Sequence, residues 1–253
     1  MASERSEEPF PEGSNFSAFA LSVEKDCDLS TSEKMSESDR QLLEEIESVL
    51  SFLYRFASCH WGYHDKGHRI ERLAGRAFTS SRSAIRLIAF GYYDEAFGLI
   101  RGIAELANLL FLFHIKRATL RDWFLASEAE RWRRFSPEKV RKAIKTAGAE
   151  VPISKTHYSW LCGVGVHVNP EIMPQTHNKE KQGHLGAVFQ HDGHTRAIAN
   201  LGWCLFVTFG IIARTADVDA IPKEAMKKAW DKLGEALQNH PAELSPAIPN
   251  RST

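Results

Sequence analysis

Between Ala96 and Ile115 the chain reads AFGLIRGIAELANLLFLFHI, a run with few polar side chains. Wound at 3.6 residues per turn, such a run leaves no face for water. That restricts it to the middle of a helical bundle or to a membrane. Arg101 and Glu105 are set into it four residues apart, so they are neighbours on one helical face. A buried ion is costly unless it is paired and hydrogen-bonded. The two are therefore expected to be buried against each other, as a structural tie or as part of a site.

A second run, from about Thr195 to Thr215 (AIANLGWCLFVTFGIIAR at its centre), is nearly uncharged as well. Both runs approach the ~20 residues that a bilayer needs. The neighbouring segments decide for a bundle, because they are two-faced. Leu42, Ile46, Val49, Leu50, Leu53 and Phe56 form one helical stripe. Ile70, Leu73, Ala77, Ile85 and Ile88 form another, opposite Arg69, Arg72, Arg76 and Arg86. The expected fold is all-α, a single bundle of about six to eight helices with the two apolar ones innermost and no membrane partner. A homodimer would cover apolar surface that one bundle leaves exposed.

Residues 1–37 are rich in Ser and Glu and read as a mobile acidic arm, residues 38–240 as the bundle and residues 241–253 as a disordered tail. Gly91 is placed to stop one helix just before the apolar run, which makes the segments on either side an antiparallel hairpin. Residues 118–148 read as shorter helices, with Pro137 at a first helical position and Gly148 as a stop. A further helix is expected over 153–165, then a long loop over 170–191 rich in Pro, Gly, His and Asn.

The zero net charge conceals an asymmetry. Residues 1–50 carry four Lys and Arg against thirteen Asp and Glu, while residues 116–145 carry ten against four. Cys27, Cys59, Cys162 and Cys204 are scattered and form no CxxC, which fits reduced thiols in the cytoplasm. The N-terminus lacks the basic-then-apolar pattern of a signal peptide. No cofactor motif is present. His60, His64 and His68 recur every four residues, but Gly62 and Gly67 break the helix that would align them for a metal. His184, His191 and His194 form a looser group.

Beyond Arg101 and Glu105, the segment YSWLCGVGVHVNP sets a phenol, Tyr158, and an imidazole, His167, near one helix end. Imidazole titrates near neutrality and serves as acid, base or ligand. The basic segment interleaves aromatics with cations: Trp123, Phe124, Arg131, Trp132, Arg133, Arg134 and Arg141. Rings that stack bases and cations that seek phosphates suit single-stranded nucleic acid. The plainer reading of the same residues is an amphipathic helix with Trp inside and Arg outside.

The helix opening GYYDEA and carrying Arg-x-x-x-Glu, followed by Tyr158-x-x-Leu161 and His167-x-x-Pro170, resembles an uncharacterised helical bacterial family, a domain of unknown function. The helical pattern over about residues 68–215 also resembles HEPN and abortive-infection proteins. The first resemblance implies that Arg101, Glu105, Tyr158 and His167 share a pocket, and it implies no particular substrate. The second implies RNA cleavage by an Arg and a His a few residues apart late in the bundle. Here Arg196 and Arg214 have no His at that spacing, and the one literal match is Arg55 with His60, in the first helix. Three functions follow as expectations: binding of a small ligand or protein partner at the polar pocket, a HEPN-like ribonuclease or nucleic-acid-binding defence protein, or a purely structural interaction module.

Overall fold

In the computed structural model, residues 15–58, 69–167, 187–215 and 222–242 are described. Among them are ten α-helices and no strand: α1 (Phe16–Lys34), α2 (Glu37–Ala57), α3 (Arg69–Ala89), α4 (Tyr93–Ile115), α5 (Ala118–Leu125), α6 (Glu128–Phe135), α7 (Pro137–Thr146), α8 (Lys155–Gly165), α9 (His191–Thr215) and α10 (Lys223–Asn239). The all-α expectation holds, with more helices than the six to eight expected. Residues 118–135 are cut in two by a capping box, in which Ser127 and Glu130 satisfy each other's backbone N–H groups. The other addition is α1, inside the stretch read as a mobile arm. Its scattered apolar residues give no stripe, and Phe16, Phe19 and Leu21 stay exposed. Cys27 and Thr31 are its buried residues, and Thr31 Oγ1 donates to the Ala89 carbonyl at the end of α3.

The two apolar helices are the centre, as their composition requires. α4 and α9 pack against each other, α3 lies along both, α2 lies against α3 and α9, and α10 packs on α2 and α9. α7 and α8 cover the remaining side of α4. Both central helices are long and apolar enough to cross a membrane, yet most of each apolar stretch is buried inside the protein. Large side chains such as Phe97, Ile100, Ile103, Leu110 and Phe209 are fully enclosed. Each contributes roughly 1.5–3 kcal/mol of burial.

The sharp turn between α3 and α4 needs a glycine. Gly91 has φ +78°, a left-handed conformation that side chains with a Cβ avoid. A Cβ there would also stand 2.6 Å from the Val188 carbonyl oxygen and 2.9 Å from Cys27 Sγ. Residues 187–190 pass over this turn, and the Gln190 N–H donates to the buried Tyr93 hydroxyl at 3.0 Å. Burial pushes that phenol's pKa up, so it remains neutral.

α4 departs from the expectation of a helix buried all round. Its stretch Leu106–Leu110 is enclosed, but Gly102 is exposed and Gly98, Leu99, Arg101 and Glu105 are only partly covered. Glycine raises apolar content without supplying bulk to bury. The Arg101 and Glu105 side chains keep 30% and 40% of their exposure, so the pair is a rim feature, not a core one.

Candidate functional site

α4 presents Arg101, Glu105 and Asn108 at i, i+4 and i+7, one face of the helix. Asn108 is buried and builds the frame. Its Nδ2 donates to the Ile153 carbonyl and its Oδ1 accepts from the Ile153 N–H, both at 2.9 Å. This two-pronged amide fixes the chain just before α8. Ser154 then caps α8 by accepting from the His157 N–H. Within α8, His157 faces α9 and bonds Asn200 at 2.6 Å, while Trp160 packs edge-on against Phe97 of α4. Burial lowers the His157 pKa, against the opposing effect of Asn200, so the imidazole stays neutral. Replacing Asn108 by Leu keeps the volume but orphans two buried backbone groups. The expected cost is about 2–4 kcal/mol in urea-induced unfolding.

Held this way, Tyr158 lies over the Arg101–Glu105 pair. Arg101 Nη2 donates to the Tyr158 hydroxyl at 2.5 Å and stands 3.4 Å from Glu105 Oε2. The hydroxyl donates onward to Glu105 at 3.3 Å. Burial, then the Glu105 carboxylate, pushes the Tyr158 pKa well up despite the opposing Arg101 charge, so a neutral phenol links a cation to an anion.

A second guanidinium joins this group. Arg141 of α7 stacks over the Tyr158 ring at 4.9 Å, and Arg101 lies 5.2 Å from the same centroid. α7 is set by Pro137 at its start and by Val140 and Ile144, which are buried. A cavity of about 90 Å³ opens among Glu105, Asn108, Trp123, Phe135, Arg141 and Tyr158. Arg141 also lines a shallow groove of about 790 Å³ outside it, with Lys142, Lys145 and Lys155. Among the described residues, Arg141 Nη1 and Arg101 Nε are buried without a hydrogen-bond acceptor.

Arg101, Glu105 and Tyr158 are thus brought together, and His167 is not seen to join them. It sits exposed in the bend after α8, where its backbone N–H donates to the Cys162 carbonyl. Seven residues of helix, roughly 10 Å, separate Tyr158 from the end of α8. The expected nucleic-acid patch is divided. Arg131 donates to the Ala126 carbonyl, Arg134 pairs with Asp122, Arg133 is exposed and Arg141 turns inward to Tyr158. The reading with tryptophan inside holds for Trp123, which is partly buried, and fails for Trp132, which is 75% exposed.

Sequence reasoning missed a second polar cluster. Asp39, in the first turn of α2, is 1% exposed. Its Oδ2 lies 3.0 Å from His194 Nδ1 and accepts from Thr195 Oγ1 at 2.8 Å, and its Oδ1 lies 2.7 Å from His240 Nε2. Burial alone would raise the carboxyl pKa. The hydrogen bonds from His194, His240 and Thr195, with the charge at His194, outweigh it and hold Asp39 well below the usual carboxylate range. α9 begins four residues earlier than the expected start at Thr195, and that extra turn carries His194. With its members almost wholly covered, the cluster is a clamp between α2, α9 and the end of α10.

No group of His, Cys, Asp and Glu suited to a metal occurs among the described residues. His60, His64, His68 and His184, residues 1–14 of the arm and residues 243–253 of the tail lie outside them, as does the His60 half of the Arg55 motif. Cys27, Cys162 and Cys204 are free thiols. Comparison with protein-family models, with curated proteins and with solved structures finds no match to this chain.

Proposed function

We propose that this chain is a cytoplasmic binding protein whose small polar ligand enters the cavity between α4, α7 and α8, and that it runs no reaction there. The observation that carries this reading is the Arg101–Tyr158–Glu105 relay capped by Arg141. It is a rigid, partly buried polar group, held by Asn108 and Ile153, beside open volume. A structural ion pair needs no such cavity. The group also lacks an activated nucleophile: the phenol is held neutral and Glu105 is already engaged by Arg101 and Tyr158.

The test is a thermal-shift screen of neutral, cationic and anionic metabolites against the wild type, Glu105→Gln and Tyr158→Phe. The expected result is a compound that raises the melting temperature of the wild type and of neither variant. Variants that melt lower but keep every ligand response would reduce the relay to a structural tie.

The HEPN-like ribonuclease reading has one observation in its favour, the exposed Trp132 beside the exposed Arg133. Incubation with mixed RNA, with His60→Ala and His167→Ala as controls, tests it. Intact RNA in every lane removes it.

A further inference from the structure

Resting on the pocket reading above, we infer that the ligand is a small molecule with two anionic groups, one seated in the cavity against Arg141 and the other in the basic groove outside. The first support is the charge count around Tyr158. Arg101 and Arg141 both lie on its ring, Glu105 is the single carboxylate joined to the relay, and the phenol is neutral, which leaves one positive charge uncompensated. Glu105 is engaged by Arg101 and Tyr158 together, so it does not balance Arg141. Among the described residues Arg141 has no carboxylate within ion-pair distance, and its Nη1 is buried with no acceptor.

The second support is the geometry of guanidinium itself. Stacking on an aromatic face uses the π surface and leaves the N–H donors pointing outward in the plane. Those donors match the oxygens of a carboxylate or phosphate. A cavity of about 90 Å³ has room for roughly three water-sized groups, which is the scale of one oxyanion and too small for a whole metabolite. The rest of the molecule must therefore lie outside.

Outside, Arg141 continues into the groove between α7 and the start of α8. Lys142, Lys145 and Lys155 line it together with Glu138 and Glu150, again a cationic excess. Arg141 belongs to both spaces and sets their separation at about one side chain. Two linked anionic groups would then bind far more tightly than one, because the second joins at high effective concentration. The size of the cavity favours a small molecule over a nucleic-acid strand, whose phosphates are spread along a surface.

The deciding experiment is calorimetric titration of the full chain with inorganic phosphate, pyrophosphate, citrate and a poly(U) oligomer, at ionic strength matched with chloride. Pyrophosphate or citrate is expected to bind at least tenfold more tightly than phosphate, and comparing the two separates phosphate chemistry from carboxylate chemistry. Arg141→Gln should abolish all binding. Because Arg141 packs on Tyr158 and its loss could loosen α7, the exposed variant Lys145→Gln provides the second arm. It should bring the two-anion probes down to the level of phosphate and leave phosphate unchanged. The inference is overturned if no anion binds beyond chloride, if Arg141→Gln or Lys145→Gln binds like the wild type, or if poly(U) outcompetes pyrophosphate. Should the anions fail while a neutral or cationic compound still stabilises the wild type and not Glu105→Gln, only the choice of ligand class falls and the pocket reading stands.

Discussion

Replacing Asp39 by Ala is expected to lower the unfolding free energy by about 3–5 kcal/mol, the usual cost of removing one partner from a buried charged network. The substitution leaves His194, Thr195 and His240 with buried donors and nothing to receive them. Asp39→Asn keeps the volume and one acceptor oxygen and should cost less. Its signature is in the pH dependence. The folded-state pKa of Asp39 lies below its unfolded value, so its stabilisation is present above about pH 4 and is lost as pH falls toward the folded value. Denaturant unfolding between pH 3 and 7 should show the wild type losing stability toward acid more steeply than Asp39→Asn. Parallel curves, or an Asp39→Ala protein within about 1 kcal/mol of the wild type, would mean the clamp contributes little.

Nothing near Asp39 in the chain reveals this. An acidic residue three positions after Ser36 is what any helix N-terminus favours, and Ser36 does accept from the Asp39 N–H. Its burial depends on partners 155 and 201 residues away. His194 was visible only as one of several histidines in a loop-like stretch. Local patterns carry helix stripes and stops well: the stripes of α2 and α3 follow from periodicity, the stop at Gly91 from glycine, and the inner placement of α4 and α9 from apolar composition on every face. They carry no information on which polar residue from a distant helix will arrive.

The second large effect is expected at the crossing of α4 and α8. A Cβ on Gly165 would fall against the Gly98 nitrogen and 2.6 Å from the Phe97 carbonyl carbon, and one on Gly98 would stand 2.9 Å from the Gly165 carbonyl oxygen. Backbone lies on both sides, so neither helix can yield by turning a side chain. Gly165→Val should destabilise by about 3 kcal/mol through overpacking. It should also lift Tyr158 away from Arg101 and cancel any ligand-induced thermal shift. Gly163, two residues earlier, has open space where its Cβ would be. Gly163→Ala is expected to gain up to about 1 kcal/mol from helix propensity and to leave the site intact. If the two variants behave alike in thermal melts, the close approach of α4 and α8 is not what positions Tyr158.

At the site itself, Arg101 and Glu105 stand out in the sequence as charges in an apolar run, and Tyr158 as a phenol set with His167 near a helix end. Their meeting depends on Asn108, an amide that reads as a blemish in α4 and works as the fastener for Ile153. Arg141 was legible as a cation but not as an inward one, because its direction is set by how Val140 and Ile144 seat α7 on α4. His167 carried a signal of equal strength and ends up in an exposed bend, because α8 stops two residues short of it.

The clamp on Asp39 also orders events during synthesis. At the usual pace of translation, about 5–20 residues per second, His240 leaves the ribosome roughly 10–40 seconds after Asp39. Over that interval Asp39 lacks its His240 partner, and its carboxylate stays hydrated at no desolvation cost. Closure of the clamp therefore waits until α10 has been made and delivers its histidine.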